Sequence, residues 1–195
     1  MTTARTFIAI ELDDQLKDGL GRLQDRLRTQ LSPHSVRWVH PQGIHLTLKF
    51  LGDTPLEKVE EVQVALAQAA NDISPFTFTV AGVGCFPNSR RPRVVWVGIQ
   101  ELTGSLVRLR DAVEGHVAPL GFPTERRRFS PHLTLGRVQR HASKSEVREL
   151  GELVAADATG VLDEMMVTAV SYIKSDLRPS GAVYTTLAEV QLKGA

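Results

Sequence analysis

Two copies of one tetrapeptide hold the side chains best suited to chemistry: His45-Leu46-Thr47-Leu48 and His132-Leu133-Thr134-Leu135, 87 residues apart. In an extended strand alternate residues face opposite sides, so each copy would present His and Thr on one face and bury its leucines on the other. If the two strands meet about a pseudo-two-fold axis, His45, Thr47, His132 and Thr134 converge on one cleft. An imidazole has an ordinary pKa of about 6.5, so near neutral pH one histidine can carry a proton while the other lacks one. That is the condition for a paired general acid and general base. In-line displacement at phosphorus needs such a pair on opposite sides, because the attacking and leaving oxygens stand opposite one another. Two threonine hydroxyls could then donate to the non-bridging oxygens, where negative charge is held.

Positioning these groups requires strands, and strands of the right kind recur. Phe7–Leu12, Phe76–Val80, Arg93–Ile99, Met165–Ile173 and Val183–Leu192 are rich in β-formers. Between them run four amphipathic stretches. Leu16, Leu20, Leu23 and Leu27 follow Asp13, a capping residue, and predict a helix over 13–30. Thr54-Pro55-Leu56-Glu57 reads as a capping box for a second helix carrying Val59, Val62, Leu66 and Ala69. Leu102, Leu106, Leu109, Val113 and Val117 predict a third, and Ser143–Glu146 is a capping box ahead of Val147, Leu150 and Val154. The pattern is that of an α+β or mixed α/β chain.

The 87-residue offset extends beyond the motif. The strand at Phe7 precedes His45 by the same interval as the strand at Val94 precedes His132, and the first and third helices coincide at that offset. Phe78–Val80 falls on Met165–Val167 and Pro92 on Pro179, with the fourth helix's capping box two residues out of register. We therefore read residues 1–195 as a single bilobal domain made of pseudo-repeats at roughly 5–92 and 93–192.

Composition excludes several classes. At 195 residues and 42% hydrophobic, the chain can bury a core without staples, which rules out a disordered protein. Lys and Arg number 23 against 22 Asp and Glu, so attraction to nucleic acid must come from local clusters. A single cysteine, Cys85, excludes an internal disulfide and reads as a buried inert thiol; a cytoplasmic, reducing setting is expected. Met1–Arg5 offers no apolar stretch ahead of the first strand-like run, and no run approaches the roughly 18 apolar residues of a membrane span, so neither secretion nor membrane insertion is expected. No phosphate-binding glycine motif is present and neither histidine brings a third metal ligand, so no cofactor and no metal are expected.

The paired His-x-Thr-x motifs resemble those of the 2H phosphoesterase superfamily. Over nearly its full length the chain resembles the RNA 2',3'-cyclic phosphodiesterase branch, also called the 2'-5' RNA ligase family. The resemblance is carried by Phe7-Ile8-Ala9-Ile10, by His-Leu-Thr-Leu-Lys-Phe-Leu-Gly at 45–52 and by Arg-Phe-Ser-Pro-His-Leu-Thr-Leu-Gly-Arg at 128–137. It implies an α+β, bilobal, LigT-like fold with two antiparallel sheets facing a central cleft and helices outside. It also implies metal-independent opening of RNA 2',3'-cyclic phosphate ends to 2'-phosphomonoesters, with His45 as proton donor and His132 as proton acceptor.

Two arginine clusters fit an RNA 3' end. Arg128, entering the second motif strand, is the expected substrate contact, while Arg90, Arg91, Arg93, Arg126 and Arg127 would form a diffuse track. His34, His40, His116 and His141 have no partner at the offset and read as surface or loop residues. Phe7, Trp38 and Phe129 could stack on bases but suit a core better. The internal two-fold removes any need for a second copy, so a monomer is expected. Alternatives left open by the residues are a phosphodiesterase for 2'-5' linked oligonucleotides or small cyclic phosphates, and a non-catalytic RNA-end binding module.

Overall fold

The computed structural model describes residues 3–178 and 181–194, so Pro179 of the repeat lies outside the described residues. Nine strands and four α-helices follow one another among these residues. β1 (Thr3–Glu11) leads into α1 (Asp14–Arg28), a short β2 (Val36–Trp38), β3 (His45–Pro55), α2 (Val59–Ala70) and β4 (Phe76–Phe86). β5 (Val94–Gln100), α3 (Ser105–Val117), β6 (His132–Val138), α4 (Lys144–Ala156), β7 (Val161–Val167), β8 (Ala169–Arg178) and β9 (Gly181–Gln191) complete the chain. The strands form two antiparallel sheets, ordered β3-β1-β8-β9 and β2-β6-β5-β4-β7.

Local chemistry explains most of the elements. Asp13 accepts the Leu16 amide at 2.8 Å, and Leu16, Leu20, Leu23 and Leu27 are all buried along α1. Ser143 and Glu146 form the expected reciprocal capping box at the start of α4. One large cluster of buried side chains runs through both halves, including Ile8, Ile10, Leu46, Leu66, Val97, Leu109, Leu133 and Leu135. On the opposite face of the first sheet, Phe7, Ala9 and Ile173 make a small separate cluster.

Four expectations are corrected. Thr54 does not cap a helix: it is buried at the end of β3, its hydroxyl 2.7 Å from that of Thr6 across the strand pair, and a 3-10 turn at Leu56–Lys58 precedes α2. Leu102 lies outside α3 and is 97% exposed; the turn before the helix contains Gly104 at φ 77°, and the Glu101 carboxylate accepts the amides of Thr103 and Leu106. The apolar run Met165–Ile173 is two strands, broken at Thr168, because its first part joins the second sheet and its second part the first. Last, Phe78–Val80 and Met165–Val167 are not equivalent places in two lobes. Phe78 and Met165 are direct antiparallel partners in one sheet, and the strand that stands beside β1 as β4 stands beside β5 is β8. Each sheet thus takes strands from both repeats: the chain crosses to the other sheet after α1, after β2, after α2 and after β7. Strand propensity specifies an extended, half-buried segment and carries no address for one sheet over another.

Candidate active site

β3 of the first sheet lies against β6 of the second, so the two motif strands approach each other from different sheets. In both, the alternation holds: His45, Thr47, His132 and Thr134 are half-buried, while Leu46, Leu48, Leu133 and Leu135 are buried. Each imidazole is held the same way. The His45 Nδ1–H donates to the Gly43 carbonyl at 3.0 Å, and the His132 Nδ1–H donates to the Ser130 carbonyl at 2.7 Å. A carbonyl can only accept, so Nδ1 carries the hydrogen in both rings and Nε2 is left to exchange a proton with a substrate. Neither the Thr47 nor the Thr134 hydroxyl bonds another of the described residues, which leaves both able to donate to an anion.

Aromatic rings fix the planes of the imidazoles. Phe7, 3% exposed, stacks on His45 with centroids 4.5 Å apart, and Tyr184 of β9 meets the same imidazole edge-on at 5.0 Å. Phe86 meets His132 edge-on at 4.9 Å, with Trp96 tilted 6.4 Å away. Trp96 reaches this place over Gly84, its cross-strand partner, where a Cβ would come within 2.2 Å of the indole. Burial holds both histidines below their ordinary pKa, against the opposing pull of the carbonyl each one faces; Glu11 also raises His45, whereas Arg137 further lowers His132. Arg137 influences Tyr184 too, and Tyr184 touches His45.

The other expected residues are placed as follows. Arg128 is exposed on the segment leading into β6, beside exposed Arg126 and Arg127. Arg90 and Arg91 are exposed in a turn closed on the Asn88 side chain, and Arg93 donates its amide to the Phe86 carbonyl; this hairpin leaves the site at Phe86. His34, His40, His116 and His141 are exposed, with His116 on α3 and His40 accepting the Gln42 amide. Cys85 is a buried free thiol whose pKa is pushed up by burial. Trp38 and Phe129 are half-buried against the core. Among the described residues no three His, Cys, Asp or Glu side chains cluster as metal ligands would, and no helix is long and apolar enough to cross a membrane.

The residues that the motif alone did not indicate are Glu11, Tyr184, Phe86, Trp96 and Arg137. For Glu11 and Arg137 the signal available was the difference between the halves, since the 87-residue offset sets Glu11 against Gly98 and Arg137 against Phe50. The aromatics carried none, because their approach depends on which strands neighbour one another.

Comparison with known proteins agrees with this arrangement. The profile of the family described as LigT like Phosphoesterase matches the chain twice, at residues 10–96 and 97–184. The RNA 2',3'-cyclic phosphodiesterase of Methanothermobacter thermautotrophicus is 33% identical, over 96% of this chain and 98% of its own. That of Aquifex aeolicus is 30% identical over the whole of both. Among solved structures, TT0787 of Thermus thermophilus superposes with a TM-score of 0.79 at 28% identity, covering 97% of this chain and 98% of that one. Escherichia coli LigT in its apo form shares the fold, with a TM-score of 0.77 at 22% identity and 99% of each chain covered. From a doubled family match, full-length relatives at 30% identity or more, and two sheets that bring a repeated histidine strand together, it follows that the chain belongs to the family of LigT-like phosphoesterases.

Proposed function

We propose that this phosphoesterase hydrolyses RNA ends bearing a 2',3'-cyclic phosphate to 2'-phosphomonoesters, using His45 as general acid and His132 as general base without a metal or other cofactor. The observation that carries the reading is the pair of imidazoles with like tautomers, one from each sheet, each followed two residues later by an unengaged threonine hydroxyl. The named relatives supply the substrate class. In this reading the His132 Nε2 takes a proton from water as the water oxygen bonds to phosphorus. The bond from phosphorus to the 3'-oxygen breaks, and His45 Nε2 gives its proton to that oxygen. Thr47 and Thr134 donate to the non-bridging oxygens, where charge accumulates. Arg128 is the phosphate contact nearest the second motif, with the other exposed arginines forming a looser track toward the RNA. Both histidines come from one chain, so a monomer suffices, and a lone free thiol suits the cytoplasm.

The pH dependence follows from the roles. Activity requires His132 neutral and His45 protonated, so kcat/KM rises as pH climbs through the His132 pKa and falls as it passes that of His45. Since both lie below the usual imidazole value, the bell should peak on the acid side of neutral. The kcat profile should sit at higher pH, because a bound phosphate anion favours imidazolium. Initial rates on a short cyclic-phosphate RNA from about pH 4 to 9 test this. A kcat/KM that keeps rising through the alkaline range contradicts a protonated acid.

A further inference from the structure

Two histidines with the same strand position and the same tautomer must take opposite roles, and the repeat by itself gives no reason for either assignment. The residues that differ between the halves do. In the β1–β3 register the residue facing His45 is Glu11; in the β5–β6 register the residue facing His132 is Gly98. Glu11 and Gly98 are separated by the same 87 residues as the histidines, so a carboxylate in one half stands where the other has no side chain. The glycine is enforced, because a Cβ there would lie 2.8 Å from the Ala81 carbonyl oxygen. The reverse asymmetry occurs five residues beyond each histidine, where the second half has Arg137 and the first has the exposed, uncharged Phe50.

The Glu11 carboxylate is oriented. Thr186 of β9 donates its hydroxyl to Oε1 at 2.7 Å, and Tyr184, two residues earlier on the same face of β9, packs on His45. We propose that Glu11 is the positioning residue that designates His45 as the proton donor: its carboxylate, directly across the strand pair and steadied by Thr186, favours the imidazolium on that side of the cleft alone. This rests on the acid and base reading of the site. Directly opposed residues in such a pair have their Cβ atoms about 5 Å apart, close enough for one charge to bias its neighbour. Beside His45, Tyr184 of β9 brings a phenol on which both Arg5 of β1 and Arg137 of β6 act, and His132 stands on β6, the strand that packs against β3. The phenol's pKa is raised, so it stays neutral through the imidazole range, and Arg137 acts on His132 in the opposite sense to Glu11 on His45.

Glu11→Gln separates charge from shape, since the amide oxygen still accepts from Thr186 while the negative charge is gone. Thr186→Val does the converse. In proton NMR titrations of the two imidazoles, Glu11→Gln should lower the His45 pKa by about half a unit to one unit and leave that of His132 within about 0.2. The alkaline limb of kcat/KM should move to lower pH by the same interval and the peak should fall about three- to tenfold. Thr186→Val should produce a smaller shift in the same direction. An unmoved His45 titration in Glu11→Gln overturns the proposal, as does an equal loss of rate in Thr186→Val with neither pKa displaced, which would make the contact a simple strand tie. Failure of the parent protein to turn over the RNA while His45 still responds to Glu11→Gln would instead overturn the underlying reading of the site, a result distinct from an unmoved titration.

Discussion

Replacing His132 by alanine is expected to lower the turnover of a cyclic-phosphate RNA by about 10²–10⁴-fold, and replacing His45 to cost a similar factor. Each imidazole is held by a single Nδ1 hydrogen bond to a backbone carbonyl and by flanking rings, so its removal deletes a proton carrier without disturbing a buried network. Phosphate binding should persist, because the threonine hydroxyls and the exposed arginines remain; KM should change by only a few fold while kcat falls. The double variant should lose little more than the worse single one, since acid and base act on one displacement. Measurement of kcat and KM for the three variants checks this, and a fall of less than about tenfold in either single variant would remove that histidine from the chemistry.

The second large effect concerns stability. Lys49 follows the first motif on β3, and its ammonium is buried against Glu114 of α3 at 2.7 Å, with side-chain exposures of 5% and 7%. Lys49 also donates to the Pro123 carbonyl, while the Glu114 carboxylate accepts the Glu125 amide at 3.3 Å and faces Arg110 at 3.4 Å. The pair therefore joins β3, α3 and the 121–131 segment that leads to His132. Glu114→Ala leaves a buried ammonium without its counter-charge, which costs about 3–5 kcal/mol. For a chain of this length that corresponds to a Tm lower by roughly 6–20 °C. Lys49→Met combined with Glu114→Met should recover most of the loss, because an apolar pair of similar volume avoids the desolvation cost. Thermal unfolding of the single and double variants decides the point. A Glu114→Ala protein that melts within about 2 °C of the parent would show that the pair is not a buried anchor.

Much of the site was legible from residue order. Period-two alternation placed His45 and Thr47, and their counterparts, on one face, and that holds because the leucines between them have a continuous core to enter. Helix boundaries were legible where a side chain caps, as at Asp13 and Ser143, and failed at Thr54, where a strand partner, Thr6, competes for the same hydroxyl. Repeat spacing revealed two halves but not the exchange of strands between sheets. That exchange depends on long-range pairing, such as Phe78 with Met165, to which local composition is blind. For the same reason the contacts of Tyr184 and Phe86 with the histidines could not be read in advance: each ring comes from a strand remote in sequence from its histidine. Phe7 shows the opposite case. Its assignment to an apolar environment was correct, yet its neighbour there is the imidazole of His45.

The most direct measurement is phosphorus NMR of the product formed from a short RNA with a 2',3'-cyclic phosphate end, incubated with the protein in EDTA. The expected result is a single 2'-phosphomonoester signal, absent with His45→Ala and with His132→Ala. A 3'-phosphate product, or activity that disappears in EDTA and returns with a divalent ion, would contradict two-histidine expulsion of the 3'-oxygen.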